Sequence, residues 1–117
     1  MPSKAPDRRF RDIIENIERV ERYTTNMTEE DFAKSDVIRD AVERCLSRIS
    51  EAATKLGDIA EQLCPDQPWP DIRGLGNHLR HGYDNLDSDL IWITVVNDLP
   101  SLKTACKNAL AKLRAPG

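Results

Sequence analysis

The chain has 117 residues, of which 39% are hydrophobic and 32% are charged, and its formal net charge is −3. This length suits one modest domain spanning residues 1–117, and the composition is typical of a folded, soluble protein rather than a disordered one. The negative net charge excludes a globally basic nucleic-acid binder, so any contact with RNA must use a local positive patch.

The apolar runs, the N-terminus and the cysteines indicate in which cellular compartment the protein is expected. No run approaches bilayer-spanning length, since the most apolar stretch, residues 91–96, is interrupted by Thr94. Charge and proline occupy the N-terminus where a signal peptide would need its apolar region. The three cysteines lack CxxC spacing, which disfavours a disulfide framework or a zinc site. We therefore expect a cytoplasmic protein with no membrane contact, no metal and no cofactor.

Apolar residues at spacings of three and four predict the first two helices. The first is expected from about Asp7 to Tyr23. After a polar break, Thr28 with Asp31 three residues on resembles a capping arrangement. A long apolar stripe then predicts the longest helix, ending near Leu56. Cys45 lies on this stripe and Cys106 on a later one, so both are interpreted as packing residues rather than nucleophiles.

Two further helices complete the predicted bundle. Prolines in residues 64–70 forbid a regular helix, so a third helix is expected to start near Asp71. A fourth begins at about Asp89, with a kink or restart at Pro100. No segment alternates with the period of a strand. The expected fold is therefore all-α, an up-and-down bundle of four main helices. Three residues partly off the last stripe are candidates either for a dimer contact or for core burial: Trp92, Ile93 and Val96.

The segment of residues 69–84 holds most of the chemistry. It contains both histidines, two arginines, a tyrosine and three of the five glycines. On an ideal helix this segment has two faces: a stripe of core-packing residues around Ile72, and a polar sector that lies roughly 80° to 180° from Ile72 around the helix axis. Imidazole moves protons near neutral pH and guanidinium holds phosphate oxygens, so this sector suits acid–base work on a phosphodiester. Its members are Arg80, Arg73, Asp84, Asn77 and His81.

A solvated helix face with a few ion pairs, such as Arg80 with Asp84, is the alternative interpretation of the same sector. His78 lies away from the arginines and is interpreted as a surface residue. Glu51, set in an apolar stripe, is either a buried partner of the third helix or a residue at the edge of the stripe. The residue pattern by itself leaves these alternatives open.

Several landmarks in order give the chain a resemblance to HepT-like proteins of the HEPN superfamily, the toxin components of HepT–MntA type toxin–antitoxin modules. The landmarks cover nearly the whole chain: Arg11-Asp12-Ile13, Asp36 to Ala41, Ser50-Glu51-Ala52-Ala53, Pro68-Trp69-Pro70-Asp71-Ile72, Asn77 to Tyr83, and Asp98-Leu99-Pro100.

This resemblance implies a HEPN-like homodimer and a metal-independent endoribonuclease. The 2′-hydroxyl of RNA would attack the adjacent phosphate while His81 handles protons and an arginine stabilises the phosphorane charge. Asn77 would orient the histidine or the substrate. The resemblance also implies an MntA-like nucleotidyltransferase antitoxin that attaches AMP to Tyr83, where a bulky anion would obstruct the RNA groove.

One position departs from the family signature. The family places an arginine before the asparagine, whereas this chain has Gly76 before Asn77. Arg80, first, and Arg73, second, are the candidates to replace that arginine. The alternative is a catalytically weakened HEPN-fold partner subunit that binds a nucleotidyltransferase or RNA without cleaving it. A third hypothesis is a purely structural helical dimer.

Overall fold

A computed structural model describes residues 5–80 and 88–114, without the side chains of residues 77–80. Within these ranges the chain is helical and contains no strand. The helices in order are α1 (Pro6–Tyr23), α2 (Glu29–Lys34), α3 (Asp36–Leu56), α4 (Asp58–Leu63), α5 (Trp69–Arg80), α6 (Ser88–Ile93) and α7 (Leu99–Arg114). A π-helical turn, Thr94–Asp98, joins α6 to α7.

Helix starts follow the local capping chemistry. Thr28 and Asp31 form a reciprocal capping box, each side chain accepting from the other residue's backbone N–H at 3.1 Å. The sequence predicted this start. It did not predict the break at Ser35, whose hydroxyl accepts from the backbone N–H of Ile38 and opens α3. The segment expected as one helix is therefore the short α2 followed by the 21-residue α3.

The all-α bundle prediction is confirmed, with α1, α3, α5 and α7 as the main helices. α1 packs against both α3 and α7, and α3 packs against α5. The largest fully buried side chains of the core come from these helices and from α2, and they include Trp69, Phe10, Phe32, Ile13, Ile17 and Leu46. The amphipathic stripes thus face one shared core, as the periodicity indicated.

The end of α3 and the start of α5 depend on residues with special backbone properties. Gly57 has φ 59°, a conformation that suits glycine, and it separates α3 from α4. α5 begins at Trp69 rather than near Asp71, with Pro70 in its first turn where no N–H partner is needed. The Trp69 indole Nε1 is fully buried and donates to the Cys64 carbonyl at 2.8 Å. This bond ties the proline-rich loop to the core.

Pro100 explains the irregular turn before α7. Proline has no N–H to donate one turn back, so the regular hydrogen-bond ladder is interrupted there. The N–H of Leu99 instead donates to the Thr94 carbonyl, which closes a π-helical turn, and α7 starts afresh at Leu99. The predicted restart is confirmed.

The three residues proposed for either dimer contact or core burial differ in how exposed they are. Trp92 is partly buried, with its ring centroid 5.3 Å from that of Phe32 on α2. Ile93 and Val96 are about half exposed, at 49% and 50%. Trp92 therefore packs on the core, while its two neighbours present apolar surface.

None of the helices that the structure describes is both long and apolar enough to cross a membrane.

Candidate functional site

The residues predicted for catalysis belong to α5 or, for His81, follow its last residue in the sequence. The backbones of Arg73, Asn77 and Arg80 belong to α5. The side chains of Asn77 and Arg80 lie outside the described part of the chain, as do His81 and Tyr83 entirely. Their assignment to the active site stays a prediction. What the structure does describe is how α5, which leads into this segment, is held.

Ser50 fixes the middle of α5 against α3. Its side chain is buried, with the residue only 4% exposed. The hydroxyl donates to the Arg73 carbonyl at 2.8 Å and accepts from the Gly76 N–H at 3.0 Å. One side chain on α3 therefore satisfies both a donor and an acceptor on α5, which restrains rotation and sliding of that helix.

Gly76 lies buried at this contact. The position where the family signature has its arginine is thus a close helix–helix approach in this chain. The departure from the signature coincides with a backbone N–H that faces the Ser50 hydroxyl.

Arg73 forms a clamp between α5, α4 and the end of α3. Its guanidinium holds both carboxylate oxygens of Glu61, at 2.6 Å and 2.8 Å. It also donates to the carbonyl of Gly57 at 2.9 Å and to that of Ala53 at 3.4 Å. Such a bidentate arginine–carboxylate pair fixes geometry as well as charge. The Arg73 side chain is therefore engaged with α3 and α4.

The charges of this pair stabilise each other. Hydrogen bonding from Arg73 holds the pKa of Glu61 below its ordinary value. Glu61 in turn raises the pKa of Arg73. Both groups are accordingly ionised near neutral pH, and the pair keeps its full charge there.

Sequence reasoning missed both Ser50 and Glu61 as partners of α5. A signal existed for Ser50, because a hydroxyl within a buried stripe between Ile49 and Ala52 must find a hydrogen-bond partner. The neighbouring Glu51, for which a contact with the third helix was one of two predicted roles, is exposed and pairs with Lys55 at 3.1 Å. Of the two roles considered for Glu51, the residue at the edge of the stripe is the correct one. Nothing in the sequence near Glu61 indicated that it contacts α5.

The other side of α5 borders an acidic cleft of about 490 Å³. Of the residues that the structure describes, the charged ones that line it are Asp66, Asp71 and Asp98, with no lysine or arginine among them. Phosphate groups are repelled by such a lining. Among the described residues, no three histidine, cysteine, aspartate or glutamate side chains converge to hold a metal ion.

All three cysteines are buried and free. Burial raises the pKa of Cys106, Cys64 and Cys45, most strongly that of Cys106. A thiol in this setting is a packing group rather than a nucleophile. The prediction for Cys45 and Cys106 is confirmed.

Comparison with known proteins supplies the family. The chain is 36% identical over 92 residues to the "Probable ribonuclease HepT" of Thermococcus cleftensis, which covers 79% of this chain and 84% of the relative. It is 34% identical, with the same coverage, to the "Putative RNase MJ1380" of Methanocaldococcus jannaschii. No solved structure matches the chain. The family model described as "Ribonuclease HepT-like" matches residues 13–109. This match takes in α3, α5 and the segment between α5 and α6, so the chain belongs to the HepT-like ribonuclease family.

Proposed function

We propose that this protein is a metal-independent endoribonuclease and the toxin component of a toxin–antitoxin module. The observation that carries the proposal is the match to the HepT-like ribonuclease family over residues 13–109, which includes Asn77, His81 and Tyr83. The relatives named as ribonucleases support the same activity.

The proposed reaction cleaves RNA by internal attack. Neutral His81 accepts the proton of a 2′-hydroxyl, whose oxygen forms a bond to the adjacent phosphorus. The bond from phosphorus to the 5′-oxygen breaks, and a protonated His81 from the second protomer returns a proton to that oxygen. The products are a 2′,3′-cyclic phosphate and a 5′-hydroxyl end. Imidazole suits both steps because its charge changes near neutral pH.

We assign stabilisation of the phosphorane to Arg80 rather than Arg73. The Arg73 guanidinium already contacts Glu61 and two backbone carbonyls, so its release would cost those bonds. Arg80 directly precedes His81 in the sequence. Asn77, one turn earlier on α5, is assigned to orient the histidine or the substrate.

A homodimer and an antitoxin complete the proposal. The exposed Ile93 and Val96 provide an apolar surface for the second protomer. An MntA-like nucleotidyltransferase would transfer AMP from ATP to the Tyr83 hydroxyl and release pyrophosphate. The added phosphate would block the RNA groove by charge and volume. The reducing cytoplasm is the proposed location, in keeping with three free cysteines.

The test compares the wild-type protein with His81→Ala on a defined RNA in the presence of EDTA. Cleavage that survives EDTA and disappears in the variant supports the proposal, and cyclic-phosphate ends identify the reaction. Identical RNA patterns for the two proteins would refute it. Intact mass after co-expression with a nucleotidyltransferase from the neighbouring gene tests AMP attachment, with Tyr83→Phe as the control.

A binding subunit without activity is the second candidate, favoured by Gly76 at the position of the family's arginine. Under that hypothesis the wild-type protein is inactive but still binds RNA or a nucleotidyltransferase. A Gly76→Arg variant that gains cleavage over an inactive parent would support it.

A further inference from the structure

The side chains in the middle of α5 specify its rotation against α3 only weakly. Helices that pack closely hold each other through side chains that interlock across the contact. Gly74 and Gly76 contribute none, and a Cβ atom added at Gly74 would meet nothing within 4 Å. Ile72 and Leu75 are only partly buried, and both line the open cleft beside the helix. Interlocking side chains therefore do little to fix the rotation of α5 in this stretch.

The Ser50 hydroxyl supplies a polar contact that restrains this rotation. It is bonded to two backbone atoms of α5, the Arg73 carbonyl at 2.8 Å and the Gly76 N–H at 3.0 Å. Backbone atoms of a helix have fixed places on its surface, so rotation of α5 lengthens these two bonds. The Arg73–Glu61 contact joins two long side chains instead, which can follow a small rotation by changing their own torsions. Ser50 is therefore the stricter of the two restraints.

A small displacement at this contact becomes a larger one at the surface of α5. The Cα atoms of a helix lie about 2.3 Å from its axis, and side-chain ends lie about 5–6 Å from it. Slack of about 0.5 Å at the backbone therefore turns the helix by about 12° and moves a side-chain end by about 1 Å. A displacement of about 1 Å at a reacting group can lower a rate about a hundredfold. Loss of one hydroxyl is enough to affect catalysis in this way.

We propose that Ser50 is a positioning residue for RNA cleavage, and that its hydroxyl controls the rate by fixing the rotation of the last turn of α5. The backbones of Asn77 and Arg80 belong to that turn, and His81 follows Arg80 directly in the sequence. The chain therefore leaves α5 toward the candidate catalytic residues from a point that this rotation sets. Ser50 acts only through the α5 backbone and contacts no substrate. This inference rests on the proposed ribonuclease function for the reaction that it affects.

The test separates the maximal rate of cleavage from the affinity for RNA. Single-turnover cleavage of a defined RNA is measured over a range of protein concentrations for the wild type, Ser50→Ala and Ser50→Cys. A thiol is only a weak donor and acceptor, so the cysteine variant weakens both hydrogen bonds without leaving a cavity. Ile17→Val, at a fully buried position on α1, is the control for lost stability. All rates are measured well below the lowest melting temperature of the four proteins.

We expect the maximal rate to fall about ten- to a hundredfold in Ser50→Ala and to fall in Ser50→Cys as well, with the protein concentration at half-maximal rate unchanged. Ile17→Val should keep the wild-type value of both quantities. Nuclear magnetic resonance gives a measurement that does not depend on cleavage. The backbone amide signals of residues 77–80 should shift in Ser50→Ala and keep their wild-type positions in Ile17→Val.

A wild-type maximal rate in Ser50→Ala would overturn the inference. An equal fall in Ile17→Val would also overturn it, because lost stability alone would then explain the effect. A change confined to the half-maximal concentration would assign Ser50 to RNA binding and not to positioning. A wild-type protein that cleaves no RNA would refute the proposed ribonuclease function. In that case the amide signals still test Ser50, since wild-type positions for residues 77–80 in Ser50→Ala would refute its control of α5.

Discussion

The Ser50 hydroxyl meets the Gly76 N–H at 3.0 Å, and this hydrogen bond joins α3 to the helix that leads into the candidate active site. The same hydroxyl donates to the Arg73 carbonyl, four residues before Asn77. The buried Ser50 hydroxyl can make both hydrogen bonds only when α5 has one particular rotation about its axis, so the two bonds fix that rotation. The orientation in which α5 presents its last turn thus depends on a residue 26 positions earlier in the chain.

Removing the Ser50 hydroxyl should destabilise the fold. Ser50→Ala leaves the Gly76 N–H without this partner in a buried contact, and we expect a loss of about 1–3 kcal/mol in the free energy of unfolding. Urea denaturation measures it. Ser47→Ala, a partly buried serine on the same helix, serves as the matched control and should cost no more than about 0.5 kcal/mol. Equal losses would contradict the bridging role.

The Arg73–Glu61 pair should make stability depend on pH. Arg73 lowers the folded-state pKa of Glu61 below its ordinary value of 4.5. The stabilisation is therefore present above that ordinary pKa and is lost as the pH falls through the lower folded-state value. The urea midpoint of the wild-type protein should exceed that of Glu61→Gln at neutral pH, and the difference should shrink steadily as the pH is lowered below that ordinary value. A gap that persists in acid would argue against the ion pair. Glu15→Gln, at an exposed position on α1, is the control.

Alanine substitutions at the two candidate arginines should have different effects on the rate of RNA cleavage. Arg80→Ala is expected to lower the cleavage rate about a hundredfold, as loss of a donor to the transition state does. Arg73→Ala should mainly lower the melting temperature, because it breaks the clamp on Glu61 and Gly57. The two variants are compared by their initial cleavage rates at a temperature well below the melting temperature of either. The reverse order would assign the catalytic role to Arg73.

Charge placed on the apolar surface of residues 93 and 96 should dissociate the proposed dimer. Ile93→Asp/Val96→Asp puts two carboxylates where a partner would bury apolar surface, which is unfavourable without compensating cations. Sedimentation velocity should give a dimer for the wild type and a monomer for the double variant. Val37→Asp changes a residue that is 77% exposed on α3, and it should leave the mass unchanged. A dimer in every variant would place the interface elsewhere.

The cysteines should resist alkylation and disulfide exchange in the folded protein. Burial raises the pKa of each thiol and removes it from solvent. Reaction with a disulfide reagent at mildly alkaline pH should be slow for all three and become fast in urea, because the thiolate is the reactive species. Cys106, which is fully buried, should react more slowly as the sole thiol of a Cys45→Ala/Cys64→Ala variant than Cys64 does as the sole thiol of a Cys45→Ala/Cys106→Ala variant. Immediate labelling of Cys106 in the folded protein would contradict its burial.

The sequence by itself determined the structural features that depend on residues close together in the chain. Period-3.6 stripes located α1 and α3, the Thr28 and Asp31 pair located a helix start, and Pro100 located a helix restart, because each signal acts within one or two turns. The order of landmarks also indicated the family. Only the tertiary structure decided how α5 is held. Ser50 with Gly76, and Arg73 with Glu61, are separated by 26 and 12 residues, so no local spacing predicts them. The ideal-helix projection gave only the direction in which Arg73 leaves α5, whereas its bonds to both carboxylate oxygens of Glu61 on α4 depend on how the helices pack.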